Sequence, residues 1–154
     1  MTIFFSDGFE DDFTPWTSTV GTPSIVTSPV HHGAKACACD ANNEYATKTL
    51  ADDYTTLYVR FYVRISQEPN AGSQVPIFQL LGDAIPIARL FFYKTAGSVK
   101  QVWLRYMFPA QTDIYANFVY AIDTWYCVEL KAVMGSASGE YIVYVNGEPL
   151  ITET

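Results

Sequence analysis

The stretch Thr55–Ile65, TTLYVRFYVRI, constrains this chain more than any other. It alternates without a break. Leu57, Val59, Phe61, Val63 and Ile65 fall on one side, and Tyr58, Arg60, Tyr62 and Arg64 on the other. A period of two is the signature of a β-strand, and here one face is dry and the other polar and aromatic. Ordinary solvent faces carry Lys, Glu, Thr and Ser. Tyr and Arg are over-used where a surface binds something.

The rest of the chain agrees with a β-rich fold. Its 154 residues suffice for one domain with a sizeable core. Eleven Tyr and ten Phe suit a pleated, half-buried surface. We expect a single sandwich domain over residues 1–154, and find no linker, repeat or low-complexity segment. The net charge of −7 argues against nucleic-acid partners and anionic membranes, which favour a basic field. No apolar run reaches the roughly 20 residues that cross a bilayer as a helix. The opening MTIFFSDGFEDD lacks a basic segment followed by a long apolar one, so no signal peptide is expected. Placement on a virion surface or as a mature extracellular domain follows from that expectation. Cys37, Cys39 and Cys127 form no zinc-ligand pattern, and read best as reduced thiols that pack as small hydrophobes.

Taken in order, short strands are predicted at Thr2–Phe5, Ser24–Thr27, Ala34–Asp40 and Glu44–Thr49, ahead of Thr55–Ile65. Further strands follow at Val75–Leu81, Ile85–Tyr93, Val99–Met107, Ile114–Val119, Trp125–Val133, Tyr141–Val145 and Leu150-Ile151. Turn chemistry separates them: Gly82-Asp83, Thr95–Ser98, Gly135–Gly139 and Asn146-Gly147, the last a strong hairpin signal. Pro76 and Pro86 should lie at strand starts or bulges. No segment carries a helical period over three turns. Such a run of strands predicts an all-β, antiparallel, two-sheet sandwich.

Several pieces resemble one known group. Phe5-x-Asp7-Gly8-Phe9-Glu10, Trp16 and His32-Gly33-x-Lys35-Ala36 are similar to the opening of concanavalin A-like jelly rolls and related carbohydrate-binding sandwiches. Leu57–Val63, Ile87–Leu90, Trp125-Tyr126-x-Val128-Glu129-Leu130 and Tyr144–Gly147 continue the resemblance over almost the whole chain. It implies a jelly roll in which glycans lie across one concave sheet. The group holds lectins, laminin-G-like modules, glucanases and lyases, so fold alone does not fix function. Its members usually continue past the final hairpin. The shorter run here leads us to expect an open sheet edge, and with it a homo-oligomer or larger assembly.

The first candidate site is a polar aromatic face built from Tyr58, Arg60, Tyr62 and Arg64, joined by Gln79, Arg89, Tyr93, Trp103 and Arg105. A sugar ring stacks its apolar face on Trp or Tyr, and its hydroxyls need planar donors and acceptors. Arg also grips a carboxylate with two parallel bonds, which suggests an anionic glycan. We expect Trp103, Tyr58 and Tyr62 to stack, with Arg60, Arg89 and Arg105 as clamps. The competing expectation is that these Arg pair with the chain's own Asp and Glu, or that the face meets a partner subunit. The second candidate is the acidic turn containing Asp7 and Glu10, where the resemblance implies a structural calcium; a solvated turn is the simpler reading. No other cofactor is expected. Adjacent His31 and His32 are read as structural. A lyase of this fold would want a Gln-x-His strand, and Gln79-Leu80-Leu81 lacks the His, leaving Tyr93 as the residual base. Paired carboxylates for a glucanase are also missing. The expectation is therefore a non-catalytic, lectin-like glycan binder, with a structural or decoration subunit as the alternative and a polysaccharide enzyme third.

Overall fold

The computed structural model describes residues 3–41, 43–83, 85–107, 110–134 and 139–154. They contain twelve antiparallel strands and no helix. Two compact units emerge, Met1–Asp53 and Tyr54–Thr154.

The first unit holds two short ribbons. β1 (Ser18–Val20) pairs with β4 (Tyr45–Thr47), and β2 (Ser24–Val26) with β3 (Ala36–Ala38). Its aromatic centre forms around Trp16, which stacks on Phe9 at 5.3 Å and meets the ring of Phe5 edge-on at 5.0 Å. Asp7 ties this knot together: Oδ2 accepts from the Trp16 indole at 2.5 Å, and Oδ1 from the Phe9 amide at 3.1 Å. Ile3–Phe5 is not a strand, contrary to expectation, and Thr2 lies outside the described residues. Phe5 gives its ring to the aromatic knot, while the side chains of Ile3 and Phe4 are exposed. Strand β1 went unforeseen because all three of its residues are exposed and carry no hydrophobic alternation.

The second unit is a sandwich of two four-stranded sheets. One has the order β12-β11-β10-β5 and the other β6-β7-β8-β9. Their strands are β5 (Thr56–Val63), β6 (Ser73–Gly82), β7 (Ile85–Lys94), β8 (Lys100–Tyr106), β9 (Thr112–Asn117), β10 (Tyr126–Val133), β11 (Glu140–Val145) and β12 (Glu148–Glu153). Strict alternation in β5 half-buries Leu57, Val59, Phe61 and Val63 and exposes Tyr58, Arg60 and Tyr62. The inner faces interlock through Ala88, Leu90, Phe92, Val102 and Leu104 from one sheet and Val128, Leu130, Tyr141 and Val143 from the other. Removing these apolar surfaces from water is the main driving force for closing the two layers.

Turn chemistry fixes the register. Asn146 and Gly147 both have positive φ, 54° and 86°, as a type I′ hairpin needs. Asn146 also clasps the neighbouring strand β10: its amide donates to the Cys127 carbonyl at 2.8 Å, and its Oδ1 accepts from the Cys127 amide at 3.0 Å. Between β7 and β8, Ser98 takes φ 67° and closes the turn onto the Thr95 carbonyl at 2.9 Å. Both prolines mark irregular pairing. The β6–β7 register shifts between Pro76 and Phe78, and again between Leu80 and Leu81, where Leu81 faces Pro86. The turn expected at Gly135–Gly139 falls mostly outside the described residues.

Candidate functional site

The candidate face divides between the two sheets. β5 lies at the edge of its own sheet and pairs with β10 alone among the described strands, so Tyr58, Arg60 and Tyr62 stand on one outer surface. Gln79, Arg89, Tyr93, Trp103 and Arg105 stand on the outer surface of the other sheet. Residue parity assigns a side of a strand, and says nothing about which sheet the strand joins.

On the β5 surface the charges are matched. Arg60 donates through Nε and Nη2 to Oε1 of Glu129, its cross-strand partner, at 2.9 and 2.7 Å. Arg64, just beyond the strand, pairs with Asp123 at 2.6 Å. Lys131 pairs with Glu140. Tyr58 and Tyr62 are exposed beside them, at 58% and 42%.

The β6–β9 sheet presents a more ordered surface. Cross-strand partners align its outward side chains in three rows. Gln79, Arg89, Arg105 and Asp113 form the first; Pro76, Phe91, Trp103 and Tyr115 the second; Gln74, Tyr93, Gln101 and Asn117 the third. A guanidinium row, an aromatic row and an amide row thus lie side by side, roughly 7 Å apart along the strands.

The aromatic row is self-packed. Trp103 stacks against Phe91 at 4.6 Å and against Tyr115 at 5.3 Å, and Tyr93 approaches its edge at 5.8 Å. The Arg105 guanidinium lies 4.6 Å from the Trp103 ring centre. Trp103 is only 7% exposed although it faces away from the sandwich interior, and Phe91 is likewise buried. Trp103 is therefore not the exposed ring that was expected; the exposed ring of this row is Tyr115, at 46%, with half-buried Tyr93 beside it. Phe91, Asp113 and Tyr115 were missed by sequence reasoning. The first shares the parity of Arg89 and Tyr93, Tyr115 lies within the strand expected at Ile114–Val119, and Asp113 becomes a strand residue only because β9 begins at Thr112.

Asp113 links the guanidinium and aromatic rows. Its Oδ1 accepts from the Trp103 indole at 2.9 Å and from Arg105 Nε at 2.7 Å, and Oδ2 from Arg105 Nη2 at 3.1 Å. The Arg105 bonds hold this carboxyl below the ordinary aspartate range, against a smaller opposing effect of burial. In the amide row Gln101 donates to Asn117 at 2.9 Å. Below it, Glu68 accepts from Lys94 at 3.0 Å and from Lys100, bridging two cations that face each other across β7 and β8.

At the end of the guanidinium row a partly open pocket of about 110 Å³ is lined by Pro86, Arg89, Arg105, Met107 and Gln111. The Nε of Arg89 is buried and has no hydrogen-bond partner among the described residues.

The carboxylates expected to hold calcium are occupied by the chain itself. Asp7 serves Trp16 and Phe9, and both Glu10 oxygens accept from the Ala34 amide at 3.1 Å. Among the described residues no three His, Cys, Asp or Glu side chains gather as a metal site. His31 and His32 do not diverge as an extended chain would require: their bend brings the rings to 3.9 Å, edge to face. Cys37, Cys39 and Cys127 are free thiols, with the sulfurs of Cys37 and Cys39 4.0 Å apart. No described helix is long and apolar enough to cross a membrane.

Comparison with known proteins adds no relative: no family model, no curated protein and no solved structure matches this chain.

Proposed function

We propose that the protein is a non-catalytic, lectin-like module that binds glycan across the outer surface of the β6–β9 sheet. One observation carries the reading: the parallel rows of guanidinium, aromatic and amide side chains on a continuous sheet. A sugar is amphipathic in the same pattern, with apolar ring faces edged by hydroxyls. Tyr115 and Tyr93 offer rings for stacking. Gln101 and Asn117 offer amide donors and acceptors. The buried Phe91–Trp103 pair holds Tyr115 in place, which lowers the entropic cost of ordering it on binding.

Affinity electrophoresis through a panel of polysaccharides tests this. Wild type should be retarded by at least one polymer, and Tyr115→Ala should lose that retardation while its far-UV spectrum is unchanged. Equal mobility of wild type and variant in every polymer would reject the reading.

A second reading is favoured by the other surface, where Tyr58 and Tyr62 stand exposed on the edge strand β5. Pairing of that edge with a second copy would make the protein an assembling subunit, compatible with glycan binding. Light scattering after size exclusion would show a fixed oligomer that Tyr58→Lys dissociates.

A further inference from the structure

We infer that the pocket at Arg89 takes the carboxylate of an acidic sugar, so that the glycan bound by this face is a uronate-bearing chain; this rests on the glycan reading above.

The argument begins with the arginines. The chain has four, at positions 60, 64, 89 and 105. Three are in ion pairs, with Glu129, Asp123 and Asp113. Arg89 is in none among the described residues, and its Nε is buried without an acceptor. A charged donor removed from water and left unmatched is costly unless something fills the vacancy. This molecule shows what the fitting partner looks like. Arg60 and Arg105 each engage a carboxylate side-on, through Nε together with Nη2. The orphaned atom of Arg89 is that same Nε, and the Arg89 side chain lines a cavity large enough for a small anionic group. A planar carboxylate matches the side-on fork with two oxygens.

Charge supports the choice. In the first row Asp113 is already bound by Arg105 and Trp103, so Arg89 leaves the row with one uncompensated positive charge. The protein as a whole carries −7, which repels anions elsewhere and makes this spot distinctive. Gln111 adds an amide to the pocket wall, and Pro86 and Met107 supply apolar contact for a sugar ring. Arg89 and Tyr115 stand two strands and one row apart, on the order of 12 Å between Cα atoms from strand geometry. A ligand that reaches both must contain more than one sugar residue.

The test observes Arg89 directly. Side-chain Nε–Hε signals are recorded by NMR during titration with oligomers of galacturonate, mannuronate and glucuronate, each also as its methyl ester, and with inorganic sulfate. The Arg89 signal, assigned with Arg89→Lys, should shift saturably with at least one acid oligomer. The matching ester should bind about tenfold more weakly or worse. Arg89→Gln should lower affinity for the acid to that of the ester. A silent Arg89 signal with all three acids, or unchanged acid affinity in Arg89→Gln, overturns the inference. A stronger response to sulfate than to any uronate overturns the carboxylate assignment. Tyr115-dependent binding of neutral esters without Arg89 involvement would sink this inference alone. Arg89-dependent acid binding indifferent to Tyr115→Ala would sink the stacking face instead.

Discussion

Replacing Trp103 with Ala should destabilise the sandwich severely, although the ring points away from its interior. At 7% exposure the ring hides most of its surface against Phe91, Tyr115, Tyr93 and Arg105. A Trp buries roughly 150–250 Å². At about 25 cal/mol per Å² this is roughly 4–6 kcal/mol against a fully extended chain, and about 3–5 kcal/mol once residual burial in the unfolded chain is discounted. Loss of the indole donor to Asp113 adds about 1 kcal/mol. For a unit of this size each kcal/mol moves the melting temperature by roughly 4–8 °C, so Trp103→Ala should melt at least about 12 °C below wild type. Tyr115→Ala, at a half-exposed position on edge strand β9, should cost no more than about 1 kcal/mol. Thermal melts followed by far-UV circular dichroism distinguish the two. A Trp103→Ala protein that melts within about 2 °C of wild type would refute the assignment of this ring to packing. It would return Trp103 to the role of an exposed stacking surface.

Further expectations concern two other places in the chain. Tyr120 is fully buried and donates its hydroxyl to the Tyr93 carbonyl at 3.0 Å, and burial, with a smaller effect of Glu68, pushes its pKa up to about 12. Because the folded value lies above the unfolded one, the stabilisation is complete below about pH 10 and disappears as pH rises through 12. Absorbance at the tyrosinate band should therefore show a late component coincident with unfolding, to which Tyr141, also raised by burial, contributes, and this component should be smaller in Tyr120→Phe. In the first unit, Gly33 has φ 70°, and a Cβ there would fall 1.8 Å from a Glu10 carboxylate oxygen. Gly33→Ala should displace Glu10 from the Ala34 amide and destabilise this unit by about 1–2 kcal/mol. Faster hydrogen exchange at Ala34 would report it, and unchanged exchange would count against it.

Much of the fold was legible because its signals are local. The alternation of β5 gave its buried and exposed sides correctly, and Asn146-Gly147 announced its own turn. The site was less legible because it depends on register. Whether Trp103 is covered depends on Phe91 and Tyr115 lying directly opposite it, and no spacing within one strand reveals that. The pairing of Arg105 with Asp113, and the lack of an ion pair for Arg89 among the described residues, are likewise cross-strand facts. The acidic turn near Asp7 shows the same dependence on distant contacts: its carboxylates find partners in Trp16 and Ala34.

The two irregularities in β6 bear on solubility. This strand is one rim of its sheet, and at ten residues it is long enough to template amyloid-like growth. Pro76 has no amide hydrogen to offer an incoming chain, and the register shifts near Pro76 and Leu81 break the flat ladder that such a chain would copy. The rim is thus guarded by its own sequence, and replacing Pro76 with Val would expose an adhesive border.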